Sequence, residues 1–174
     1  MVLVLVGLWY LRSREAAPVV GPTSSRTEAP SPDIENARRT PADAPSEDRY
    51  DLEADEARGG HTLARHVGRT DAQLRDRLAG ERGISTASTY TTRELAERTV
   101  ARTLRANADR VRSWTARRGS RPNLALDYHG PRGEVLGRSI RRGRAPVDCT
   151  DAVIVLRWDG RGSYVLTSYP ESSR

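Results

Sequence analysis

HTLARHVGRTDAQLRDRLAG, residues 61–80, decides how the folded part of the chain begins. Leu63 and Val67 are four apart, so a short helix over His61–Val67 puts both on one side, and Gly68 suits its C-terminal cap. Thr70 and Gln73 have the spacing of a capping box, in which each side chain satisfies a backbone N–H of the other. That box opens a second helix running to Ala79, with Leu74 and Leu78 facing inward and Gly80 ending it.

Towards the C-terminus the helical pattern continues before it changes. TTRE, residues 91–94, is a second capping box, and it opens a helix with Leu95, Ala96, Val100 and Leu104 inward. Val111 and Trp114 predict a further helix after Asn107. Beyond Gly119, four stretches read as strands: Leu124–Tyr128, Glu134–Ile140, Ala152–Trp158 and Ser163–Tyr169. Asp159-Gly-Arg-Gly162 is a turn signal between the last two. Helices followed by antiparallel strands make the expected class α+β, in one domain over residues 59–174.

Towards the N-terminus the composition cannot support a core. Residues 12–58 read as a disordered linker rich in Pro and acidic residues, as in EAPSPDIEN and TPADAPSED. Before it, Val2–Leu11 is an apolar segment, VLVLVGLWYL, about half the roughly 20 residues that span a bilayer. Three readings of residues 1–11 stay open: the tail of a membrane or signal segment, a short weak anchor in contact with a membrane, or an apolar end without a role.

Charge divides the chain at the same boundary. Residues 1–58 carry 7 Arg against 11 Asp and Glu, a net −4, whereas residues 59–174 carry 22 Arg against 12, a net +10. A domain so basic attracts polyanions, RNA or DNA first and acidic proteins second. All 29 basic residues are Arg, and the planar guanidinium fork pairs with phosphate in bidentate fashion. Arg138-Ser-Ile-Arg-Arg-Gly-Arg144 reads either as a track for RNA phosphates or as a solvated loop. Cys149 is the only cysteine, which excludes an intrachain disulfide and a cysteine-based zinc cluster.

Several chemistries are excluded by what is missing. There is no G-x-S-x-G elbow, no HEXXH pair and no Walker loop, which requires a Lys. His61 and His66, five apart, would point about 140° apart on a helix and are not expected to share a metal. His129 beside Gly130-Pro131 reads as a turn residue, and Trp114 and Trp158 as core. RNA transesterification needs neither metal nor cofactor, because the substrate supplies its own nucleophile in the 2′-hydroxyl. It requires a base, an acid and a fixed positive charge for the phosphorane.

GGHTLARHVGRTDAQLRDRL (59–78), ASTYTTRELAE (87–97) and YVLTSYPE (164–171) together resemble the bacterial ribonuclease A-like toxin domain at the C-terminal end of some contact-dependent growth-inhibition proteins. The resemblance covers about 115 residues and implies a ribonuclease A-like α+β fold without disulfides. It also implies a site of His66, Arg77, Thr167 and Tyr169: a His on the first helix, an Arg on the next, and a Thr and Tyr on the last strand. Side-chain chemistry then gives expected roles. His66 is the general base or acid. Arg77 stabilises the phosphorane. Thr167 donates to a phosphoryl oxygen or positions the base, and Tyr169 donates a hydrogen bond or carries the second proton. Thr167 and Tyr169, two apart on a predicted strand, share a face while Ser168 points away. His61 either carries the second proton or orients the first helix.

The resemblance further implies RNA as substrate, delivery by secretion or tethering to a competing cell, action in its cytoplasm, and an acidic cognate immunity protein; the domain is expected to be a monomer. Two other readings compete with an endoribonuclease toxin. One is a non-catalytic basic module on the same fold that binds RNA or protein. The other is a membrane-anchored regulatory protein with an incidental basic domain. The intact set of His66, Arg77, Thr167 and Tyr169 favours the enzyme.

Overall fold

A computed structural model describes residues 49–172. The apolar segment 2–11 and residues 12–48 of the expected linker lie outside the described residues. The linker nevertheless ends earlier than its composition indicates. Leu52–Glu56 forms a helix, α1, capped by the Asp51 carboxylate, which accepts from the backbone N–H of Glu53 and Ala54. Leu52 is buried in the main core, and the Asp55 carboxylate accepts from the Val165 N–H at 2.8 Å and the Tyr50 hydroxyl at 2.7 Å. One leucine among Asp and Glu has no readable period, so local composition hid a helix that long-range contacts hold.

Helix α2 (Thr62–His66) and helix α3 (Asp71–Gly80) follow the sequence reading closely. The Thr70–Gln73 capping box forms in both directions, and Gly68 adopts the positive φ, 64°, that suits the end of α2. Strand β1 (Thr86–Tyr90) then interrupts the helices, so the order is not simply helices before strands. The next helix, α4 (Arg93–Ala106), starts one residue later than TTRE predicts. Thr92, not Thr91, accepts from the Leu95 N–H, because the Thr91 N–H is already given to Leu136 O at the edge of the sheet. Helix α5 (Ala108–Thr115) places Trp114 in the core, edge-on to Trp158 at 6.5 Å.

The remaining strands are β2 (Leu124–His129), β3 (Gly137–Arg141), β4 (Pro146–Cys149), β5 (Asp151–Trp158) and β6 (Ser163–Glu171). They form two three-stranded antiparallel sheets, ordered β1-β3-β4 and β2-β5-β6. β3 starts later than expected because Pro131–Glu134 closes a turn. β4 has no counterpart among the four expected strands. His129 belongs to β2 opposite Asp151, so it is a strand residue rather than a turn residue. At Gly137 a Cβ would lie 1.9 Å from Thr89 O, so only glycine lets β3 close on β1.

The main core lies between α4, α5 and the inner face of β2-β5-β6, with Leu126, Ile154, Leu156 and Val165 buried. A smaller core of Leu74, Leu78, Ala87 and Ile140 joins α3 to the other sheet. Tyr90 and Ser168 link the two arms by a buried hydrogen bond of 2.6 Å, and α2 sits over that junction. If residues 50–58 are integral to the domain, Leu52→Ala should lower the unfolding free energy of the full chain by about 2–5 kcal/mol in urea titrations. A loss under about 0.5 kcal/mol, the range of ordinary surface changes, would put α1 outside the folding unit.

Candidate active site

The junction of the two sheets holds the residues of interest. Helix α2 has only five residues and is too short to be stable by its own hydrogen bonds. It is fixed from outside. The His61 N–H donates to Leu166 O at 3.0 Å, and the Ser168 N–H donates to Thr62 Oγ1 at 2.8 Å, so the start of α2 is tied to β6 at two successive residues. Glu56 accepts from the Ala64 N–H at 2.9 Å, filling a donor that the helix start leaves open. Gly60 makes the approach possible, since a Cβ there would lie 2.7 Å from Val165 O.

This docking carries His66 to the seam. Its Nδ1 is 3.2 Å from Ser88 O on β1, and its ring lies against Tyr169 on β6, with centroids 5.6 Å apart. A carbonyl can only accept, so the neutral ring carries its proton on Nδ1 and leaves Nε2 with a free lone pair. Burial, and next the Arg77 charge, push the His66 pKa from 6.5 down to about 3, against a small opposing effect of the Ser88 carbonyl. His66 is thus a neutral base at neutral pH. His61 is the residue before α2, not a member of it, so the helical angle between the two histidines does not apply. Burial, and then the charges of Arg65 and Arg77, lower its pKa too, with Glu56 opposing. His61 also lies close enough to depress His66 further.

Arg77 projects from the last turn of α3. Its Nε is 3.4 Å from Glu81 Oε1, a charge contact that is not aligned as a hydrogen bond, and Nε and Nη1 are buried without a hydrogen-bond partner among the described residues. Glu81 also meets Arg65 at 3.5 Å. On β6, Thr167 and Tyr169 face one way, and Ser168, fully buried, faces the other. Thr167 Oγ1 is likewise buried without a partner. Burial, and then the charges of Glu171 and Asp127, raise the Tyr169 pKa, so its phenol keeps its proton. A buried donor left unmade costs roughly 1–3 kcal/mol, so such groups call for an explanation. Five buried side-chain atoms among the described residues lack a partner, and three of them belong to Arg77 and Thr167.

Of the five residues singled out in the sequence, His66 and Tyr169 touch, Arg77 acts on both histidines, and Thr167 lies one position along the same face from Tyr169. Sequence reasoning missed the Ser88 carbonyl, which sets the tautomer, and Glu56 and Glu81, which hold α2 and Arg77. A backbone carbonyl has no residue signature, and only an assignment of β1 could have placed it.

Residues 60–170 match the family described as the Bacterial CdiA-CT RNAse A domain, well over half of the chain. The chain belongs to that family. It is therefore a ribonuclease A-like toxin domain of the contact-dependent growth-inhibition type, α+β and without disulfides. Among solved structures it is similar to the CdiA-CT/CdiI complex from Y. kristensenii, at 30% identity and a TM-score of 0.57, over 64% of this chain and 99% of that one. No curated protein matches the chain.

In this CdiA-CT domain the burial of His66 has a thermodynamic signature. The unfolded chain takes up a proton near pH 6.5, whereas folded His66 resists it down to about pH 3. The contribution of His66 is therefore fully present above pH 6.5 and is lost as pH falls below it. Between pH 7 and pH 5 the loss is about 2 kcal/mol, and His66→Gln should remove it from the difference between urea titrations at those two pH values. Equal acid sensitivity in both proteins would contradict a buried neutral imidazole.

Proposed function

We propose that the domain is a metal-independent endoribonuclease that cleaves RNA by attack of the 2′-hydroxyl, leaving a 2′,3′-cyclic phosphate. The observation that carries the reading is the group of unpartnered buried donors on Arg77 and Thr167, set beside a neutral His66. A bound phosphate supplies what those donors lack. His66 Nε2 takes the proton from the 2′-hydroxyl. The resulting imidazolium gains from the Ser88 carbonyl and from the phosphate charge, which offsets the repulsion of Arg77. Arg77 and Thr167 hold the non-bridging oxygens as negative charge grows on phosphorus. Tyr169, whose proton is firmly held, serves as a hydrogen-bond donor. The leaving 5′-oxygen receives its proton from His61 or from the imidazolium at His66.

The solved relative was crystallised as a complex with CdiI. By that likeness, this domain also takes a cognate immunity protein, one with acidic groups to cover a domain of net +10. Delivery to a competing cell, with RNA cut in its cytoplasm, is part of the same proposal, supported by the family membership.

The full chain incubated with total RNA in EDTA should cleave it and leave cyclic phosphate ends. His66→Ala and Arg77→Ala should each lower the rate by about a hundredfold or more, the usual range for loss of a general base or an oxyanion-stabilising donor. A smaller loss in His61→Ala assigns the second proton to His66, and an equal loss assigns it to His61. RNA that stays intact while still bound, or cleavage that requires added divalent metal, would overturn the reading.

A further inference from the structure

The face of β2-β5-β6 that carries Thr167 and Tyr169 extends away from the seam. Three rows of paired residues cross it: Ala125–Val155–Thr167, Asp127–Val153–Tyr169 and His129–Asp151–Glu171. Residues paired across an antiparallel ladder share a face. Val153 and Val155 are half-buried and form an apolar floor next to the candidate catalytic strand, and Asp127 stands exposed at its far side. With strands about 4.8 Å apart, Asp127 is roughly 10 Å across the sheet from Tyr169. Its carboxylate has no hydrogen bond or ion pair among the described residues, yet its charge reaches Tyr169.

Arginines gather on one side of the seam, among Asp71, Asp76 and Glu81, and carboxylates gather at one end of the β2-β5-β6 face, with Arg157 at its other end. The arm built from α3, β1 and β3 carries Arg77, Arg82 and the Arg141, Arg142 and Arg144 cluster at the β3–β4 turn. The arm built from β2, β5 and β6 presents Asp127, Asp151 and Glu171. With a phosphate at Arg77, a base of the same strand can reach the face that carries Val153, Val155 and Asp127.

A nucleobase has apolar faces and a polar edge, which suits a floor of valines bounded by a carboxylate. A carboxylate only accepts hydrogen bonds. Guanine offers two adjacent donors, N1–H and the N2 amino group, matched to two carboxylate oxygens. Cytosine and adenine offer one amino donor beside an acceptor nitrogen. Uracil offers one N3–H flanked by two carbonyls that a carboxylate repels. We propose that Asp127, over the floor of Val153 and Val155, selects guanine on the nucleotide whose 2′-hydroxyl attacks, and rejects uracil. The proposal rests on the ribonuclease reading.

Four short single-stranded DNA oligonucleotides, identical except for one central ribonucleotide bearing G, A, C or U, isolate the effect. The full chain should cut the G substrate about tenfold or more faster than the U substrate, the discrimination expected of a bidentate base contact. Asp127→Ala should bring that ratio near one, and Asp127→Asn, which presents a donor, should shift it towards U. Asp127 is exposed, and matching circular dichroism melts establish that the variants fold. Equal cutting of G and U substrates by the unaltered chain, or a G preference that survives Asp127→Ala, overturns the assignment. Where His66→Ala abolishes cutting in those cases, only the role of Asp127 falls. Where the unaltered chain cuts none of the four, or His66→Ala cuts as well as it does, the ribonuclease reading falls too.

Discussion

Ser168 is the residue on which the arrangement turns. Its N–H is given to Thr62 Oγ1 on α2, and its hydroxyl is paired with the Tyr90 phenol on β1, while its own strand belongs to the other sheet. One fully buried serine thus joins a five-residue helix, one sheet and the edge of the second. Each of these bonds lies out of water, where an unpaired partner is penalised more heavily than a single exposed bond is rewarded. The geometry at His66 follows from it. The tie to Thr62 adds to those from His61 and Glu56 that hold α2, and the tie to Tyr90 adds to the Gly68–Tyr90 and Arg69–Thr89 bonds that hold β1 beside it.

The electrostatics of the seam follow from its basic character. A histidine beside several arginines is disfavoured in its charged form. Here burial and the Arg77 cation act in the same direction, and both hold His66 neutral. The cation and the base tolerate each other because one of them is uncharged. An incoming phosphodiester carries the charge that reverses this balance. In the proposed mechanism, the phosphodiester that is attacked also favours the imidazolium that forms at His66.

Legibility in the sequence followed the range of the interactions. α2 and α3 could be read because their signals are local: Thr70 with Gln73, Leu74 with Leu78, and Gly68 at the end of a turn. The paired placement of Thr167 and Tyr169 was readable because alternation along a strand is also local. β1, of sequence TASTY, lacks an alternating pattern because four of its five residues are buried, on both faces. β4 is four residues long and begins with proline. α1 has one leucine among acids, and the bond that ties it to β6, from the Val165 N–H to the Asp55 carboxylate, spans 110 positions. The identities of the candidate site residues came from resemblance, and their spatial meeting depends on these distant contacts.

The irregularity in β6 has a consequence for how the chain can vary in length. Val155 pairs with Thr167, but the next residue, Leu156, pairs with Val165, so Leu166 is an extra residue in the ladder. Its carbonyl, free of the ladder, is the one that accepts from His61. On one side of Leu166 the core-facing positions are odd-numbered, as at Val165, and on the other they are even-numbered, as at Ser168 and Pro170. Deleting Leu166 would restore simple alternation with every other pair kept, Val165 on the core face and Thr167 and Tyr169 on the open one, but it would remove the carbonyl that accepts from His61. The extra residue therefore serves the docking of α2 and not the facing of Thr167 and Tyr169.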